Sequence, residues 1–192
     1  MVILTTGLLP LVLGRQEAKR RLVELKNQQI TFSDLLRIEA DKVSQVTEAT
    51  YFMIEVPKIG AKAKVIANVD SGNKREYEGV LKEGVAHAAG TYLPGMGGGV
   101  TLFAHSTDIS ANVGRYNAVF YRLDELVEGD QIVIWFLGER RVYRVVGSKI
   151  VGASEVGVFE ADKGGERLFL VTCTPRGTTI NRLIVEAQLL TG

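Results

Sequence analysis

The chain has 192 residues, 46% of them hydrophobic, which suits one domain with an appendage and supplies a sizeable core. A formal net charge of +1, with no run of Lys and Arg interleaved with aromatics, gives no electrostatic reason to expect a nucleic-acid partner. One cysteine excludes an internal disulfide, and two histidines with one cysteine are too few for a tetrahedral zinc site of His and Cys alone.

Residues 1–14 read as a separate apolar segment. Met1 to Leu13 is almost wholly apolar, yet as a helix it reaches only about 20 Å, short of the roughly 30 Å hydrocarbon core. It lacks the basic start and small-residue cleavage site of a secretory signal. The favoured reading is the tail of a truncated membrane anchor, against a weak signal-like segment or a buried helix. Arg15, Lys19, Arg20 and Arg21 pull the other way, because the positive-inside rule puts that side in the cytoplasm. Residues 15–50 read as a stalk and linker. Gly14 to about Gln29 predicts a helix whose apolar face is thin, with Leu22 and Leu25 among charged neighbours, and Ile30–Thr50 is polar with one helical turn near Phe32–Ile38.

Residues 51–192 change to short strands separated by turn residues. The predicted strands are Tyr51–Val56, Lys64–Asn68, Gly79–Lys82, Gly99–Ala104, Gln131–Phe136, Arg140–Ile150, Leu168–Thr172 and Arg182–Leu190. Gly138 reads as a hairpin turn, and Phe120–Leu126 as one helical turn inside the longer gap Ser106–Asp130. Many short strands with few helices predict an all-β domain, a mostly antiparallel barrel or sandwich.

Cys173 lies where the apolar run Leu168–Val171 gives way to a loop marked by Pro175 and Gly177. An isolated cysteine is more often a small buried hydrophobe than a nucleophile, and position at a strand end shifts that balance. Arg182 opens the last strand nine residues later. If the two strands pair, thiol and guanidinium share one end of the sheet, where the guanidinium can donate charge-assisted hydrogen bonds to an oxyanion. The alternative is a strand-edge arginine paired to a carboxylate. His105 ends the strand Thr101–Ala104, and imidazole is the side chain suited to moving a proton near neutral pH. His87, with no polar cluster around it, reads as structural.

Thr101-Leu102-Phe103-Ala104-His105-Ser106, Leu170-Val171-Thr172-Cys173-Thr174-Pro175 and Asn181-Arg182-Leu183-Ile184-Val185 together resemble the sortase family. Ile54–Gly60, Leu93-Pro94-Gly95 with Gly97–Gly99, and Leu123–Leu126 followed by Gly129-Asp130 also match, in the family's order, from about Tyr51 to Leu190. The resemblance implies a closed eight-stranded sortase-type β-barrel with short helices in its loops, on a membrane-anchored bacterial protein whose catalytic domain faces outward. It implies a transpeptidase that cleaves a Leu-Pro-x-Thr-Gly-like sorting signal and passes the acyl group to an amine, on a cell-wall precursor or a pilin-like lysine. Carried onto this chain, Cys173 is the nucleophile, His105 the proton carrier and Arg182 the oxyanion partner, with Thr172 beside them as a substrate contact. No carboxylate cluster matches the family's optional calcium site, so neither cofactor nor metal is expected. The nine-residue interval from Cys to Arg looks like pilin-type sortases, whereas the stretch before Tyr51 lacks their Asp-Pro-aromatic lid, so the subclass stays open. The rival readings are a hydrolytic cysteine peptidase and a non-catalytic β-barrel interaction module.

Overall fold

The computed structural model describes residues 46–106, 118–153, 155 and 165–190. The expectations for the anchor segment 1–14, the stalk helix and the turn near Phe32–Ile38 lie outside the described residues. Among the described residues, no helix is long and apolar enough to cross a membrane.

A short helix, α1 (Glu48–Tyr51), leads into β1 (Phe52–Val56) and β2 (Ala61–Val69). Helix α2 (Lys74–Leu81), β3 (Val85–Ala88) and β4 (Gly99–Phe103) follow, then a 3-10 turn at Leu123–Glu125. β5 (Gln131–Phe136), β6 (Glu139–Gly152), β7 (Arg167–Thr174) and β8 (Asn181–Leu189) complete the chain. The eight strands close into a barrel in the order β1-β2-β3-β4-β7-β8-β6-β5, as the resemblance implies. Neighbours are antiparallel except β2 with β3 and β4 with β7.

Side chains alternate across each strand, and the alternation divides the barrel wall into two apolar faces. Val100, Leu102, Leu168, Leu170 and Val185 fill the interior with Phe52, Ile54, Ile132, Ile134 and Tyr143. The intervening residues Phe103, Phe169, Val171 and Ile184 form a separate cluster with Val151 on the outside of the same wall. Phe169, Val171 and Ile184 are nonetheless buried. The wall of β4, β7 and β8 is therefore apolar on both sides, which is why Leu168–Val171 reads as one continuous run. Each such side chain contributes roughly 1.5–3 kcal/mol when fully buried.

Two sequence expectations are corrected here. Gly79–Lys82, expected as a strand, is helical: Gly79–Leu81 end α2 and Lys82 caps it. Asn73 caps the helix start, its side chain accepting from the Glu76 N–H at 3.4 Å. Tyr77, Val80 and Leu81, spaced at three and four residues, pack on Val69, Ala86 and Phe103. β3, not expected at all, is buried along its whole length, so it lacks the polar-apolar alternation that marks a half-exposed strand. Elsewhere the expected turns appear. Leu137 (φ +50°) and Gly138 (φ +85°) form a two-residue hairpin turn, both left-handed, and the expected turn in Phe120–Leu126 is the 3-10 turn at Leu123–Glu125.

His87 is structural. It is fully buried on β3. Asn68, at φ +58°, bulges β2 and turns its N–H onto His87 Nδ1 at 3.2 Å. Nε2 then carries the proton and faces Tyr92 O at 3.0 Å and Thr91 Oγ1 at 3.1 Å. Burial holds the His87 pKa below its ordinary value, and the hydrogen bond to Tyr92 opposes that only in part. His87→Ala leaves the Asn68 N–H and Tyr92 carbonyl unpaired around a cavity, a loss of about 3 kcal/mol measurable by urea unfolding. Because the folded state resists protonation, the unfolded chain binds more protons below about pH 6.5. This contribution to stability is thus present above that pH and is lost as the pH falls through it.

The end of the barrel where β4 and β7 begin is locked by Glu166. Its carboxylate accepts from the Gly95 N–H at 2.7 Å and the Gly97 N–H at 3.2 Å, and from the Tyr143 hydroxyl. Burial, then the bond to Glu166, pushes the Tyr143 phenol well above its ordinary pKa. The Leu93-Pro94-Gly95 segment is therefore held rigidly at the end of these strands remote from Cys173.

Candidate active site

β4 and β7 run parallel, so their C-terminal ends arrive together. Phe103 pairs with Val171, and beyond that pair the Ala104 N–H donates to Val171 O at 3.2 Å. The ladder then stops, but two side chains continue the tie. The buried Thr172 hydroxyl donates to Ala104 O at 2.9 Å, and the Ser106 hydroxyl donates to Cys173 O at 2.8 Å. His105 lies in the chain between those two anchors, at the strand end that carries Cys173. Across β7's other edge, Cys173 sits directly opposite Arg182 of β8. The backbone thus brings all three expected site residues to one end of the wall β4-β7-β8.

Alternation sets which way they face. Val171 and Ile184 belong to the outer apolar cluster, and Cys173 and Arg182, two residues from each, share that face. The thiol is half-buried, neither sealed in the interior nor washed by solvent. Thr172, expected as a substrate contact, alternates to the inner side, is buried, and has its hydroxyl committed to Ala104 O. Its place is that of a tie between strands. Sequence reasoning did not single out Ser106; its position next to His105, with a short polar side chain, was the available signal.

Arg182 Nη1 donates to Thr179 O and to Asn181 O, each at 3.1 Å. Among the described residues no carboxylate pairs with it, and Nη2 and Nε make no hydrogen bond. Thr179 O and Asn181 O thus hold one edge of the guanidinium, and among the described residues the other edge has no partner.

His105 is half-buried, and burial lowers its pKa below the ordinary 6.5. Two charges on or beside α2 act on it: Glu78 raises the pKa and Lys82 lowers it. They reach it because α2 covers the outer side of β4, with Tyr77 edge-on to Phe103 at 6.2 Å between ring centroids. At pH 7 the imidazole is mostly neutral. Glu78→Gln should therefore move the acid limb of the pH–rate profile to lower pH, and Lys82→Ala should move it to higher pH. Both displacements should shrink in high salt. An NMR titration of His105 checks the same signs without substrate.

Among the described residues, no group of three or more His, Cys, Asp or Glu is arranged to hold a metal ion. Residues 54–190 match the protein-family model for the Sortase domain. The chain belongs to the sortase family. It is 28% identical over 142 residues to Sortase D of Bacillus subtilis (strain 168), a match that covers 72% of this chain and 63% of that relative. The chain thus matches less than two thirds of the length of that curated relative. Among solved structures it is similar to sortase C-1 from Actinomyces oris, with TM-score 0.61 and 28% identity over 73% of this chain and 74% of that one. It is also similar to the pilus-related sortase C of Group B Streptococcus, with TM-score 0.62 and 27% identity over 77% and 70% of the two chains. In this sortase, the matched region spans every strand named above except the first two residues of β1.

Proposed function

We propose that this sortase is a cysteine transpeptidase acting at the bacterial cell surface on proteins with a C-terminal Leu-Pro-x-Thr-Gly-like sorting signal. The observation that carries the reading is the register pairing of Cys173 with Arg182, with His105 tied beside the same strand end. The Cys173 thiolate attacks the carbonyl carbon of the residue preceding the scissile bond. Negative charge develops on the carbonyl oxygen, where the open edge of Arg182 donates charge-assisted hydrogen bonds. The C–N bond breaks as protonated His105 gives its proton to the leaving amine, and a thioester remains on Cys173. An incoming amine then attacks the thioester, neutral His105 takes its proton, and the C–S bond breaks to release the thiolate. The acceptor is an amine of a cell-wall precursor or a pilin-like lysine.

The working pair is a thiolate with an imidazolium. An unperturbed imidazole, with a pKa of about 6.5, is mostly neutral at pH 7. The lowered pKa of His105 makes its protonated form scarcer still. Product analysis of a sorting peptide, with and without added amine, separates transfer from hydrolysis. Transfer predicts that the amine conjugate replaces the free acid as amine concentration rises; free acid alone at every amine concentration makes this a hydrolytic peptidase.

A further inference from the structure

The loop between Cys173 and Arg182 reaches away from its own strands at one side chain. Pro175, Gly177, Thr179 and Ile180 are exposed, with Ile180 at 66%. Inside the loop, the Thr178 N–H and hydroxyl both donate to Pro175 O, at 3.0 and 2.8 Å. Arg176 is different. Its Nη2 donates to Asp124 Oδ1 at 2.5 Å, its guanidinium carbon lies 4.4 Å from the centroid of the Tyr121 ring, and Glu125 Oε1 is 3.9 Å away. Those partners stand on a firm base, because Phe120 and Leu123 are fully buried and Leu126 nearly so in the barrel core.

We infer that Arg176 is a positioning residue that clamps the β7–β8 loop onto Tyr121–Glu125 and thereby sets where the Arg182 guanidinium stands relative to Cys173. The coupling is direct in the structure. Arg182 rests its Nη1 on Thr179 O, which lies on the loop that Arg176 restrains, and on Asn181 O, at the first residue of β8. The Cys173 end of the loop is held independently, by the β4 ties through Thr172 and Ser106. Loosening the clamp therefore moves the guanidinium and leaves the sulfur where it is. A planar guanidinium suits the task because it stacks on Tyr121 while its edge donates to Asp124; lysine keeps the charge but not the fork.

The inference rests on the transpeptidase reading for its rate effect, and it has a second readout that needs no substrate. Arg176→Ala should lower kcat for peptide cleavage by about tenfold with KM little changed, since the lost contact acts through the oxyanion partner. Arg176→Lys should fall between. Asp124→Ala should lower kcat in the same direction, and the double variant should be no slower than Arg176→Ala, as expected of residues acting through one another. Amide exchange at Thr178 should quicken in Arg176→Ala, with the melting temperature held. Asp124→Asn gives the same test by an exposed residue if Arg176→Ala folds poorly. Unchanged Thr178 exchange in a folded clamp variant overturns the inference, as does a wild-type kcat in Arg176→Ala or additive losses in the double variant. If the wild-type protein cleaves no sorting peptide, the function reading fails and the exchange experiment alone decides whether the clamp exists.

Discussion

Cys173→Ala should remove all turnover of a sorting peptide and all acyl-enzyme, while the protein stays folded. The argument is chemical. No other thiol exists in the chain, and neither His105 nor Arg182 can form a thioester. Without the covalent step, the amide is left to uncatalysed attack by water, a difference of many orders of magnitude. Folding survives because Cys173 is half-buried at a strand end, and its backbone carbonyl, not its sulfur, accepts the Ser106 hydrogen bond. Loss of the sulfur costs on the order of 1 kcal/mol, a drop of about 2–4 °C in Tm for a chain of this size. A non-catalytic barrel would show the same small Tm change and no activity in either protein.

Arg182→Ala should reduce kcat by about 10²–10³. Arg182 differs from the cysteine in that its removal leaves the covalent chemistry possible but unassisted. The Ala variant should therefore retain a slow acylation at Cys173, detectable by mass after long incubation. Arg182→Lys should recover little, because an ammonium cannot rest on Thr179 O and Asn181 O along one edge and still present a second edge to the substrate. Stability should change little in both variants, since no ion pair to Arg182 is lost among the described residues. A rate loss accompanied by a large fall in Tm would instead mean that Arg182 holds the loop and not the oxyanion.

How far the sequence carries this account differs from element to element. β7 and β8 are legible because Leu168–Val171 and Leu183–Val185 are apolar runs ended by Pro175 and opened by Arg182, and pairing across so short a loop brings Cys173 opposite Arg182. The parallel partnership of β4 with β7 is not legible in this way. The two strands are far apart in the chain, and no local pattern reports that they share an edge. The resemblance to sortases supplied the barrel, and the register then explains it. α2 is hard to see in the sequence because Gly79–Lys82 is too short to show its periodicity apart from Tyr77, and β3 is hidden because burial on both faces erases alternation. The hydroxyl ties from Thr172 and Ser106, and the Arg176 clamp, depend on contacts between segments separated by 52 to 68 positions. Residue type alone marks such side chains as polar, and only the fold shows what they hold.

The most direct test is intact-mass analysis of the protein mixed with a Leu-Pro-x-Thr-Gly peptide and quenched in acid, followed by peptide mapping. The account predicts an added acyl fragment, ending at the threonine, on the peptide that contains Cys173, and its discharge when an amine is supplied. Cleavage of the peptide with no adduct, or an adduct carried by any other residue, would contradict it.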